Sequence, residues 1–373
     1  MDLPLFPHFT LRLSLFSALL LLALNANANE TVRGVILTDQ LSHPWGMAFL
    51  SADEILITER VGRLRRFVNG KLLPKAIEGL PEISAIGQGG LLDIALHPDY
   101  PNNGWIYLSY VAGDGDGIGT EVVRGKLKGD RLQQIEKIFT LLPKSKPGYH
   151  FGSRIAFDHQ GYLYITLGDR GDRPRAQDLA DHAGSVIRLH GDGSIPTDNP
   201  FYNQKGKRAE IYSYGHRNLQ GATTNPKSGA IWTHEHGPQG GDEINIIHSG
   251  ANYGWPIITY GVNYGSGTPI GEGKAKAGVE QPLYYWVPSI APSGMTFYSG
   301  DKIPQWQGDL FVGSLKFQLL VRLGIQEDKV ISEERLFEGE FGRIRDVRTG
   351  VDGYLYLLTD ADRGKLIRLE NAP

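Results

Sequence analysis

The side chains able to do chemistry in this 373-residue chain gather in short polar clusters between apolar runs. His150 stands in GYHFGSR (148–154). An imidazole titrates near neutral pH and can take a proton from a substrate hydroxyl, which makes His150 a candidate general base. A loop histidine held by hydrogen bonds is the plainer reading. Asp169, in GDRGDR (168–173) at the end of an apolar run, suits either orienting such a base or capping the turn that follows. Asp242 and Glu243, beside glycines and a proline in EHGPQGGDEIN (235–245), suit a hard cation, because calcium takes carboxylate and backbone carbonyl oxygens from flexible loops. A solvated turn is the alternative. Arg217, Lys316, Arg343 and Arg345 form a cation set. If they converge, they repel one another unless a polyanionic ligand neutralises them, and arginine forks suit carboxylates; ordinary surface ion pairing is the competing reading.

Several chemistries lack their signatures. There is no cysteine, which removes disulfides, thiolate zinc sites, iron–sulfur clusters and cysteine nucleophiles together. Neither a strand-linked GxGxxG nor a GxxxxGK[ST] loop is present, so nucleotide cofactors fit poorly. DGDG (114–117) is followed by Ile118 and has no glutamate at loop position twelve, so it reads as a hairpin turn. The Arg-Gly-Asp triplet at 170–172 is read as a chance tripeptide.

The elements that must carry these clusters repeat. GYLYIT (161–166) recurs as GYLYLL (353–358), and weaker copies make starts at 53, 104, 161, 229, 308 and 353, separated by 51, 57, 68, 79 and 45 residues. Each is a turn residue followed by a β-branched and aromatic run, the signal of a strand. Most have an apolar partner run just before them, and several a third just after, as in residues 62–67, 184–189 and 364–369. Six such units of consecutive antiparallel strands predict an all-β, six-bladed propeller with four-stranded blades. The early strand over residues 31–41 has no blade of its own, and is expected to pair with the last blade and close the ring. Helical signal is confined to short stretches such as 175–182.

Composition agrees with that architecture. Glycine makes up 48 of 373 residues, roughly twice its usual share of about 7%, as many tight turns require. With 38 basic and 41 acidic residues the formal charge is −3, without the basic footprint of a nucleic-acid binder. Residues 1–28 read as an export signal: Arg12 precedes an apolar run at 13–24, which ends in Ala26-Asn27-Ala28. That run is too short to span a bilayer comfortably and is closed by an A-x-A cleavage pattern. The expected organisation is a signal peptide at 1–28 and a single domain at 29–373, without a membrane span in the mature chain.

Taken together, GQGGLLD (87–93), HFGSR (150–154), GHRNLQG (215–221), EHGPQGGDEIN (235–245), NYGWP (252–256) and RIRDVRTG (343–350) are specific. The sequence resembles the soluble pyrroloquinoline-quinone (PQQ)-dependent aldose sugar dehydrogenases of the glucose/sorbosone dehydrogenase family, from about His43 to Leu369. The resemblance implies oxidation of an aldose at its anomeric carbon to a lactone, with hydride passing to PQQ, electrons to an external acceptor, and a periplasmic location. It implies that His150 is the base, with Asp169 beside it and Arg217 facing the reactive quinone carbonyl. Gln88, Arg217, Asn218, Tyr264, Lys316, Arg343 and Arg345 match positions that hold the cofactor, and Ser314, in the same cluster as Lys316, joins them. One Ca2+ would bridge the quinone and the carbonyls of Gly237 and Pro238; a second would use Glu243 and the backbone of Tyr253. His236 stands where soluble glucose dehydrogenases of the family carry glutamine, which argues against strict glucose specificity. The Gly- and Lys-rich stretch 265–280 is a candidate variable loop, and a monomer or dimer is expected. Two further readings remain, a calcium-dependent lactonase-type propeller with a metal held by axial side chains, and a non-enzymatic binding propeller.

Overall fold

In a computed structural model, residues 32–115 and 117–372 are described. The expected leader and Asp116 lie outside them. The strands form six separate sheets, each with four antiparallel strands, at residues 44–72, 91–140, 155–214, 219–286, 292–336 and 344–371. The sixth sheet takes its fourth strand from Val32–Leu41, which pairs antiparallel with Gly364–Asn371. This is the six-bladed propeller read from the repeat, closed as expected by the early strand. Each recurring segment is the second strand of its sheet, for example Leu163–Thr166 and Leu355–Thr359.

The repeat owes its composition to burial on both faces. Side chains alternate along a strand, so Leu163 and Ile165 enter the core against blade 2 while Tyr164 enters the core against blade 4. Likewise Leu355 and Leu357 face blade 5, and Tyr356 and Leu358 face blade 1. There is consequently one apolar cluster at each of the six blade-to-blade contacts rather than one central core. Truncating one of these buried leucines to alanine costs about 2–5 kcal/mol, and closure of the ring leaves no blade with an uncovered face.

Among the described residues, regular helix is limited to the four-residue turn Tyr100–Asn103 and two 3-10 turns. The helical stretch expected at 175–182 is instead a 3-10 turn, Arg173–Gln177. Past that turn the chain is held by side chains: Arg175 Nε binds Asp181 Oδ2 at 2.7 Å, and Asp181 Oδ1 accepts from Ala183 N. Trp105–Asp114 and Gly117–Lys128 form the hairpin read at DGDG. Among the described residues no helix is long and apolar enough to cross a membrane.

Candidate active site

The loop that carries His150 is strained and clamped. His150, Gly152 and Ser153 have φ of +54°, +65° and +85°, the left-handed region that non-glycine residues adopt only where surrounding contacts over-determine them. His150 Nδ1 lies 2.7 Å from Asp169 Oδ1, and its backbone N–H donates to Gln88 Oε1 at 3.0 Å. Asp169 is buried and also accepts from Gly171 N (2.7 Å) and Trp255 Nε1 (2.8 Å). Burial pushes its pKa up, but the His150 bond and charge, the Gly171 N–H and the Arg217 charge outweigh it and hold the carboxyl below its ordinary range. An ionised carboxylate only accepts, so the proton of neutral His150 sits on Nδ1 and Nε2 presents its lone pair outward. Asp169 thus both orients the His150 imidazole and bonds the following turn.

Beside this dyad a cavity of about 310 Å3 opens, lined by Gln88, Asn218, Gln220, His236, Arg60, Arg343, Arg345, Asp360, Trp45 and Phe151 among others. Arg345 Nη2 pairs with Asp360 Oδ2 at 2.7 Å, and Arg343 Nη2 approaches the same oxygen at 3.7 Å. Burial would raise the Asp360 carboxyl, but Arg345, His43 and Arg343 hold it well below the usual carboxylate range. Arg345 Nε is buried without a partner among the described residues, an orphaned donor that an anionic ligand would satisfy. His236 is partly buried and neutral: desolvation, opposed by its 2.6 Å bond to the Pro292 carbonyl, together with nearby Arg217 and Arg345, brings its pKa down to about 3. A neutral His236 leaves the cationic character of the cavity to its arginines.

A group of ion pairs supports residues that line this cavity. Arg154 Nη1 binds Asp93 Oδ1 (3.1 Å) and Asp346 Oδ1 (2.9 Å), and Arg348 binds the same two carboxylates at 2.9 and 3.1 Å. Arg154 also bonds the carbonyls of Gln220 and Arg345 and lies 4.0 Å over the Trp45 ring, so it supports three cavity-lining residues at once. Breaking such a pair by removing one partner costs about 3–5 kcal/mol.

A second, much smaller cavity of about 10 Å3, room for one water- or ion-sized sphere, is bounded by Arg217, Glu235, Gly237, Glu243, Tyr253 and Trp255 among others. Glu243 is pushed well above its usual range by burial and by the charge of Glu235. Two carboxylates at a site with backbone carbonyls match the donor set of a hard cation. Gly237 O accepts from Arg217 Nη1 at 2.7 Å, and Pro238 O from the Tyr264 hydroxyl at 2.9 Å. A cation on those carbonyls would replace these two hydrogen bonds. Asp242–Ile246 is a strand with Asp242 buried, not a solvated turn.

The sequence matches the glucose/sorbosone dehydrogenase family over residues 41–368. The protein belongs to the glucose/sorbosone dehydrogenase family. It is therefore an oxidoreductase. It is similar to the aldose sugar dehydrogenase YliI of Escherichia coli, 48% identical over 92% of this chain and 94% of that protein. The apo-form crystal structure of the soluble E. coli aldose sugar dehydrogenase superposes with a TM-score of 0.89, covering 92% of this chain and 100% of that one. The PQQ-bound aldose sugar dehydrogenase of Streptomyces coelicolor, 28% identical, gives 0.74 over 91% and 98% of the two chains.

For this member of the glucose/sorbosone dehydrogenase family, the fold brings together Gln88, Asn218, Arg343 and Arg345 around the large cavity, with His150 bonded to Gln88 at its edge. Arg217 instead lines the small cavity. Lys316 is exposed, with its ammonium 5.2 Å from the Phe317 ring, next to cavity-lining Leu315. Tyr264 is 66% exposed, its hydroxyl bonded to Pro238 O. Ser314 is buried, its hydroxyl donating to Ile290 O and accepting from Phe317 N. Sequence reasoning missed Asp360, Trp45, Arg60 and Gln220. A signal for Asp360 existed: GYLYLLTD (353–360) matches GYLYITLGD (161–169) with one residue fewer before the aspartate, and the two aspartates make equivalent bonds, His43 Nδ1 to Asp360 at 2.8 Å and His150 Nδ1 to Asp169 at 2.7 Å. His43 Nε2, however, is bonded to Asp362 at 2.9 Å, so this second pair anchors the arginines rather than presenting a base.

Proposed function

We propose that the protein oxidises aldose sugars at the anomeric carbon to lactones, using PQQ and calcium. The observation that carries this is a His–Asp pair with its Nε2 free, set at the edge of a cavity with an arginine pair and an orphaned buried guanidinium N–H. Arg343, Arg345, Gln88 and Asn218 would hold the cofactor's carboxylates and carbonyls, with exposed Lys316 and Tyr264 as further contacts, whereas buried Ser314 has its hydroxyl committed to Ile290 O and Phe317 N and is left out of the set. When bound, PQQ supplies a two-electron hydride acceptor, and Ca2+ on the Gly237 and Pro238 carbonyls supplies a Lewis acid. Glu243, Glu235 and the Tyr253 backbone would hold the second Ca2+.

The chain's own residues set up the proton transfer. Hydride leaves an alcohol carbon readily only as the hydroxyl proton is removed, so His150 Nε2 must reach the anomeric hydroxyl in the same step. Asp169 keeps the proton on Nδ1 beforehand and stabilises the imidazolium afterwards. Arg217, 5.4 Å from the Trp255 ring and bonded to the His236 and Gly237 carbonyls, would stabilise negative charge that develops on the acceptor side of the reaction.

The lactonase reading calls for a side-chain metal cage on the axis. Among the described residues no group of three His, Asp or Glu converges as one, and the carboxylates Asp93 and Asp346 are paired with arginines. Purified protein titrated with PQQ plus CaCl2 and assayed for aldose-dependent dye reduction tests the proposal. Lactone hydrolysis without quinone would favour the hydrolase, and neither activity a binding propeller. We further read residues 1–28 as a cleaved export signal and the enzyme as periplasmic, passing electrons to an external acceptor.

A further inference from the structure

We propose that Tyr149 is the aromatic wall of the sugar subsite: the apolar face of the pyranose ring packs on Tyr149 while the anomeric hydroxyl reaches His150. This inference rests on the aldose dehydrogenase reading. The Tyr149 ring stands edge-on to the His150 imidazole, centroids 5.1 Å apart at 76°, and is 44% exposed. Three features hold this half-exposed ring in place.

First, the Tyr149 carbonyl accepts from Arg170, which also binds the Pro147 carbonyl. Arg170 is fully buried, lies 3.6 Å over the Phe151 ring, and makes no ion pair among the described residues. A buried guanidinium spent on two backbone carbonyls is a costly way to secure a surface loop, and it secures the loop that carries the base. Second, the ring leans on Gly171, where a Cβ would sit 2.1 Å from Tyr149 Cε2; with φ at +76° this position needs glycine twice over. Third, Gly171 N donates to the same Asp169 oxygen that binds His150. The wall and the base therefore share one support.

Geometry then limits where a sugar can go. A sugar whose hydroxyl sits about 3 Å from Nε2 on the Tyr149 side of the imidazole brings its ring carbons within van der Waals reach of Tyr149, roughly 4 Å. Pyranose C–H groups meet the negative face of an aromatic ring favourably, and the half-exposed ring is free to receive them.

The test compares wild-type holoenzyme with Tyr149→Ala and Tyr149→Phe, measuring aldose turnover, calorimetric binding of 1-deoxyglucose (which lacks the anomeric hydroxyl and cannot react), PQQ affinity and Tm. Tyr149→Ala is expected to raise KM and weaken 1-deoxyglucose binding about tenfold, with PQQ affinity and Tm unchanged. Tyr149→Phe should recover most of that loss, since the ring face rather than the hydroxyl is used. Wild-type KM and 1-deoxyglucose affinity in Tyr149→Ala would overturn the assignment alone. Loss of PQQ affinity matching the loss of sugar affinity would also overturn it, by placing the ring against the cofactor. A wild-type holoenzyme that neither binds 1-deoxyglucose nor oxidises aldoses would overturn the aldose reading with it.

Discussion

Replacing Asp169 by asparagine isolates the oriented base. Its two oxygens receive three N–H donors, His150 Nδ1 and Gly171 N on Oδ1 and Trp255 Nε1 on Oδ2, all at 2.7–2.8 Å. An amide offers one acceptor atom. With its oxygen toward His150, its NH2 faces the Trp255 N–H; turned over, the NH2 meets the Gly171 N–H and drives the His150 proton to Nε2, where the imidazole can no longer accept. Either way a buried donor loses its partner, and a bond to a charged acceptor, worth about 1.5–3 kcal/mol, becomes a neutral one. Expected stability loss is about 2 kcal/mol. Turnover should fall by the worth of a positioned general base, about 10^2 to 10^4-fold, or about 3–5 kcal/mol of barrier. Asp169 does not line the large cavity, so PQQ affinity should hold. The assay is dye reduction by the PQQ- and calcium-loaded variant under aldose saturation, with urea melts in parallel. A kcat within about fivefold of wild type would refute the oriented-base reasoning.

His150→Ala should keep fold and cofactor yet lose about 10^2 to 10^4-fold in kcat; near-native dye reduction would remove His150 from the mechanism. Arg343→Met, at a half-exposed guanidinium, should leave Tm unchanged and weaken PQQ about 10- to 100-fold, the worth of one charge-assisted bond. Titration of PQQ absorbance reads this, and an unchanged Kd counts against the site. Calcium at 100 times its Kd should add about 2.7 kcal/mol of stability, and Glu243→Gln should abolish that increment in thermal melts with and without chelator; an intact increment places the ion elsewhere. Asp169 and Asp360 titrate below their ordinary range. Their contributions are therefore present above the unfolded carboxylate pKa of about 4 and lost as pH falls through the lower native values. Urea melts from pH 7 to 3 should show declining stability, and Asp360→Asn should make that decline shallower, whereas an identical slope would contradict the Asp360–Arg345 pairing.

Much of the blade architecture was legible because second strands are buried on both faces and so read as continuous apolar runs, such as the one shared by residues 161–166 and 353–358. Outer strands were harder to see. Lys329–Leu336 exposes most of its residues and carries Glu333, Glu334 and Arg335 in a row, so its place comes from pairing with Leu320–Gln326 and not from apolar pattern. The 3-10 turn at Arg173–Gln177 was misread as the start of a helix because local composition says nothing of the Arg175–Asp181 bond that bends the chain away.

The site divides along the same line. Residue type and local motif by themselves determined that the glycine-rich repeat makes a propeller, and singled out His150, Asp169 and a cation set as candidates whose roles only the family resemblance assigned. Only the tertiary structure decided which cations meet. Arg343 and Arg345 face Asp360 across one cavity, Arg217 turns to the carbonyls of His236 and Gly237, and Lys316 stays outside. The reason is physical: a strand's period is local and leaves its mark in sequence, whereas a channel is assembled from loop ends of six blades. Residues 299 positions apart, such as Met47 and Asp346, become neighbours only when the ring closes.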